Sequence, residues 1–193
     1  MNKVQFNQLY EFCQTLQPKV KRNDVINKIR EITGAAGIRT VILVLDTAVL
    51  RGFFLRADNE EHPLVKKMGH NVIVLAKGMN ECWERFVNVK EAMHLLDVGR
   101  ELTDSKEKFE TLLDDWCGPG DVDHIQQMAD IMGMWMALAC LCPEKNRLEF
   151  RSLLDRQQID HYGIALKLKI PEYYVPFLFR PEYQMFLDAY VNK

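Results

Sequence analysis

Apolar residues recur at helical spacing over residues 4–16, where Phe6, Leu9, Tyr10, Cys13 and Leu16 share one side. Pro18 ends that segment, since the residue before a proline leaves the helical region. A second helix is expected over 24–33, capped by Asn23, with Val25, Ile26, Ile29 and Ile32 apolar and Gly34 and Gly37 closing it. The period then changes. Residues 40–46 (TVILVLD) and 71–75 (NVIVL) are β-branched runs that predict strands, and 48–56, broken by Gly52, predicts a third between them. An acidic turn is expected over 58–61. Short connections favour an antiparallel or mixed meander.

Lys77-Gly78 breaks the last strand, and Asn80 caps a helix over 81–97 with Trp83, Phe86, Val87, Val89, Met93, Leu95 and Leu96 as its apolar positions. A helix over 105–116 follows, capped by Asp104. Gly118-Pro119-Gly120 is the clearest break in the chain. Asp121 or Asp123 caps a Met-rich apolar helix that runs through Cys142 and stops at Pro143; residues 144–158 begin another. Residues 159–168, a turn at 169–171 and a second helix to 179 have a helix-turn-helix outline. Pro-Glu-Tyr at Pro171 and again at Pro181 reads as two helix starts, where proline fits the first turn. The pattern predicts an α+β fold: a three-stranded antiparallel or mixed sheet on several helices over 1–158, helical at 1–36, with a helical segment over 159–193 packed on it.

The chemistry worth weighing lies in the helix over 81–97, at Lys90-Glu91-Ala92-Met93-His94. In an intact HExxH helix, two histidines four residues apart hold Zn²⁺ on one face, and the glutamate polarises the zinc-bound water. Glu91 and His94 remain here, but Lys90 stands in the first ligand position. An ammonium has three donors and no acceptor, so it makes a poor ligand and repels a divalent cation. Two placements follow. The ammonium lies where the metal would and pairs with an acidic residue left from the site, or it points to water as most lysines do.

Further metal donors are ambiguous. Asp121 and Asp123 stand 27 and 29 residues beyond His94; alignment on Pro143 instead brings Met132 and neighbouring Asp130 to that place. His124 is a further candidate, giving a set of His94, Asp121 and His124. Each aspartate also has a simpler role, as a helix cap or a solvated side chain. His62, His70 and His161 fall in loops or at a helix start and carry no assigned chemistry.

The segment Arg85-Phe86-Val87-Asn88-Val89-Lys90-Glu91-Ala92-Met93-His94-Leu95-Leu96 resembles the motif helix of the ImmA/IrrE family of zincin-like metallopeptidases, which reads roughly RFTxAHExGHxxxH after a strand. Arg85-Phe86, Glu91, His94 and the leucine pair agree; Lys90 and Met93 depart. Residues 135–143 (WMALACLCP) resemble the family's Leu-Leu-Met-Pro-like helix stop, and 160–180 its helical tail. The resemblance implies a zincin-like fold and a degenerate site in which Glu91 is a relic general base and Lys90 the inactivating change. It further implies a protein-binding regulator, with a helix-turn-helix repressor as the partner class. Two other readings stand beside it: an active zinc protease with an altered site at Glu91, His94 and Asp121 or His124, and a DNA-binding regulator acting through the C-terminal helices.

Composition narrows these. The chain has 193 residues, 48% of them hydrophobic, and a formal net charge of −2. That charge supplies no general pull toward nucleic acid or anionic membrane. The C-terminal segment mixes Lys167, Lys169, Arg180 and Lys193 with Asp160, Glu172, Glu182 and Asp188, unlike a DNA-reading helix. No apolar run approaches a bilayer span, and the start lacks a signal core. Five cysteines (Cys13, Cys82, Cys117, Cys140 and Cys142) without CxxC spacing suit reduced thiols in a cytoplasm, with Cys140 and Cys142 as core residues. No resident cofactor is expected, zinc being the alternative.

Overall fold

The computed structural model describes residues 1–16, 19–59, 61–99 and 125–191. The expected helix over 105–116, the Gly118-Pro119-Gly120 break, and Cys117, Asp121, Asp123 and His124 lie outside the described residues.

The chain opens with α1 (Lys3–Thr15), capped by the Asn2 side chain accepting from the Gln5 amide, and α2 (Arg22–Thr33). Asn23 falls inside α2, whose cap position is Lys21, so it does not start the helix as expected. Gly34 closes α2 in the left-handed region at φ 69°. The expected closure at Gly37 is not seen: Gly37 sits against the His70 ring instead.

The sheet comprises β1 (Ile38–Leu43), β2 (Gly52–Leu55) and β3 (Asn71–Ala76), in the order β1-β3-β2. It is mixed: β3 runs parallel to β1 and antiparallel to β2. A pure meander is excluded because β1 and β2, consecutive in the chain, are not neighbours; α3 (Pro63–Met68), a short helix, lies between β2 and β3 in the chain. Proline at its first position, His62 accepting from the Leu64 amide and Gly69 at its end delimit it.

β3 is central, and all six of its residues are buried. Ile73 and Leu75 join the main core, while Val72 and Val74 join a smaller cluster with Leu55 and Val65 of α3, as the period of two demands. β1 is instead an edge: Ile42 is 55% exposed. Asn71 secures both flanks of β3, donating to the Gly37 carbonyl at 3.1 Å and accepting from the Ala57 amide at 2.9 Å.

Helix α4 (Glu81–Ala92) begins at Asn80, whose side chain accepts from the Trp83 amide, and tightens into a 3-10 turn over Met93–Leu96. α5 (Ile125–Leu141) and α6 (Glu144–Asp155) follow, then α7 (His161–Leu168), capped by Asp160. The second limb of the expected helix-turn-helix is a 3-10 helix, Glu172–Phe179, with Pro176 inside it. Lys169 makes the preceding turn at φ 55°. α8 (Pro181–Tyr190) packs Phe186 on Phe6 of α1, ring centroids 5.6 Å apart. One core therefore spans both ends of the chain, with Cys13, Cys140 and Cys142 buried in it. No helix among the described residues is long and apolar enough to cross a membrane.

Candidate functional site

Gly52 sets the approach of α4 to the sheet. A Cβ there would stand 2.6 Å from Val87 Cγ1 and 2.8 Å from the Val74 carbonyl, so only glycine lets β2 and α4 meet. On its other side α4 meets α5 at Gly133, which faces the Lys90 backbone. One turn before Gly133, Asp130 reaches across to α4.

At this crossing the Lys90 ammonium donates to Glu91 Oε1 at 2.8 Å and, in a shorter contact, to Asp130 Oδ1. The Lys90 side chain is 12% exposed, that of Glu91 3% and that of Asp130 23%. His94 completes the group: its Nε2 lies 3.7 Å from Glu91 Oε2 and 3.8 Å from Asp130 Oδ1, and its Nδ1 is 2.6 Å from Asp97 Oδ2. Phe54 of β2 stacks beside the imidazole at 6.4 Å. Two cations thus stand among three carboxylates.

Of the two placements the sequence left open for Lys90, the structure has the paired one. Burial opposes the charge on Lys90, but Glu91 and Asp130 outweigh it and hold its pKa above the ordinary lysine value. Burial likewise opposes charge on His94, and Asp97 with the neighbouring carboxylates pushes it up to about 10, so the ring is an imidazolium at neutral pH. Asp130 is held below the usual carboxylate range because Lys90 and His94 offset its burial. Glu91, the most enclosed, is raised by burial despite Lys90.

Among the donors named from sequence, Glu91 and His94 converge, and Asp130 joins them from α5. Asp121, Asp123 and His124 lie outside the described residues. Met132, on α5, is partly buried against the main core. Among the described residues no group of three or more His, Cys, Asp or Glu side chains is placed to hold a metal ion, and at this crossing the Lys90 ammonium sits against both Glu91 and Asp130. An ammonium cannot ligate and would repel Zn²⁺, so the residues present do not fit a divalent cation at this point.

A cavity of about 170 Å³ opens beside the cluster. Lys90, Glu91 and Asp130 form its polar wall, with Val87, Ile131 and Met134 among its apolar lining. Among the described residues no serine, threonine or cysteine lines it. Arg51, Trp83 and Tyr174 also line it, and the sequence reading assigned none of them to the site. Their positions, 32 and 91 residues apart, carry no shared motif; only the pairing of β2 with β3 and the fold-back of the C-terminal segment bring them together. The sequence matches no protein-family model and no curated protein.

Proposed function

We propose that this chain is a non-catalytic, protein-binding regulator built on a degenerate metallopeptidase-like site, cytoplasmic in setting. The observation that carries the proposal is the Lys90 ammonium held between Glu91 and Asp130 beside His94. A covalently tethered cation takes the position that an exchangeable one would need. Glu91, the residue that would polarise a metal-bound water, is engaged as the acceptor of that ammonium. The charge balance of the pocket survives without the Lewis acid that peptide hydrolysis of this kind requires.

The cavity supports binding rather than turnover. At about 170 Å³ it is below the range of cofactor and drug sites and close to the size of an apolar cavity that holds one benzene ring. One side chain of a partner fits it. The ImmA/IrrE resemblance of residues 85–96 supports a helix-turn-helix repressor as the partner class, and a zincin-like fold is part of the same proposal.

Metal content of protein purified without chelator tests the reading. The wild-type chain is expected to carry essentially no zinc, whereas Lys90→His, which replaces the ammonium by a donor four residues before His94, is expected to approach about one zinc per chain. Zinc at about one per wild-type chain, lost in His94→Ala, would instead establish an active-protease reading.

A further inference from the structure

The cavity continues outward into a row of aromatic rings with an arginine at each end. At its mouth the Arg51 guanidinium stands 4.2 Å from the centroid of the Trp83 ring. Trp83 meets Tyr174 edge-on at 5.6 Å, and Tyr174 meets Phe177 at 5.9 Å. The far face of that row carries a second guanidinium, Arg180, 4.2 Å from the Phe177 centroid. Tyr173, perpendicular to Tyr174, is 66% exposed alongside.

Neither Arg51 nor Arg180 makes an ion pair among the described residues, whereas Arg56 and Arg147 do. An arginine stacked on a ring keeps its edge donors directed outward, in the fork that fits a carboxylate. Lys90 differs, since its ammonium is already held by two carboxylates. On this surface the positive charge unpaired among the described residues therefore lies at the two ends of the ring row, and beside one of them the cavity offers Val87, Ile131 and Met134 next to its charged wall. Tryptophan, tyrosine and arginine are also the residue types that dominate protein-binding hot spots.

We infer that the cavity and the arginine–aromatic row form one docking surface for an acidic segment of a partner protein. An apolar side chain enters the cavity, and flanking carboxylates pair with Arg51 and Arg180. The inference rests on the protein-binding reading of the cavity and adds the chemistry of the partner. Single-stranded nucleic acid, which also favours arginine and aromatic residues, fits less well. Base stacking needs free ring faces. Here Arg51 lies over Trp83, and Phe86 stacks on Tyr174 at 4.3 Å.

The test is fluorescence anisotropy of the full chain with a labelled glutamate–tyrosine copolymer, which supplies both carboxylates and apolar side chains. Binding that weakens with salt is expected, and Arg51→Glu and Arg180→Glu should each weaken it about tenfold or more. Lys66→Glu on α3, an equal charge change away from the row, should leave it within about twofold. Wild-type binding by both arginine variants, or equal weakening by Lys66→Glu, would overturn the inference. So would equal affinity for polyglutamate alone, which denies the apolar recess, or tighter binding of labelled oligothymidylate. Zinc content reports on Lys90 and copolymer binding on the arginines, so either reading can fail without the other.

Discussion

Helix α4 buries two cations, and they are held in opposite ways. Arg85 is surrounded by neutral acceptors: its guanidinium donates to the Leu168 carbonyl at 2.8 Å, the Lys169 carbonyl at 3.0 Å and, in a shorter contact, the Val20 carbonyl. Burial pulls its pKa down to about 10. Five residues on, Lys90 is surrounded by carboxylates and its pKa is held up. Carbonyl dipoles can satisfy donors and fasten segments, and Arg85 ties the end of α7 and the stretch before α2 to α4. They cannot make a site where one cation could be exchanged for another. The carboxylates around Lys90 can, and the comparison thereby separates a structural fastening from a candidate functional centre on one helix.

The largest effect expected is on Lys90. Lys90→Met leaves Glu91 and Asp130 buried without their cation, which should cost about 3–5 kcal/mol in denaturant unfolding at pH 7. The loss should shrink toward acid. In the wild type Asp130 is depressed, so its contribution is present above the ordinary aspartate value and disappears as pH falls through its folded value; the variant lacks that contribution and gains by protonating its carboxylates. A deficit that is equal at pH 4 and pH 7 would count against charge as the cause.

Arg85→Met should cost roughly 3 kcal/mol, since three carbonyls lose their donors, and its deficit should change little over the same acid range because its hydrogen-bond partners are carbonyls and Glu81 is the only carboxylate that acts on it as a charge. Amide exchange should quicken at the C-terminal end of α7 first. The two substitutions act on different neighbours, so their effects should add to within about 0.5 kcal/mol in the double variant.

The next effect is alkaline. His94 has a folded pKa raised to about 10, above its unfolded value, so its contribution is complete below pH 6.5 and lost as pH rises toward 10. Wild-type stability should fall across that window from this residue, and His94→Gln should abolish that part of the slope. Parallel profiles for the two proteins would refute the imidazolium assignment. The smallest effect is on Arg51. Its side chain is exposed, so Arg51→Ala should change stability by less than about 0.5 kcal/mol while weakening copolymer binding.

Local pattern alone determined much of this protein. The helix over 81–92 follows from Asn80 as cap and from the spacing of Phe86, Val87 and Val89; β3 follows from five successive β-branched or apolar residues after Asn71. The pentamer Lys90 to His94 marked the stretch where Lys90, Glu91 and His94 meet Asp130. Helix α3 was not predicted from the pattern: Pro63 stands at its first position and Gly69 at its end, but six residues supply too little periodicity to compete with a loop. What sequence could not decide was any relation across distance. That Asp130, rather than a residue nearer the Gly118-Pro119-Gly120 break, meets Lys90 depends on Gly133 letting α5 lie close to α4. That TVILVLD is an exposed edge, while the equally apolar NVIVLA is the buried centre, depends on α3 bringing β3 back between β1 and β2. That Arg51, Trp83, Tyr174, Phe177 and Arg180 form one row depends on the C-terminal segment folding onto α4. Propensity and capping act over a few residues and are written locally. The pairing of buried charges and rings is an outcome of packing, and only the tertiary structure settles it.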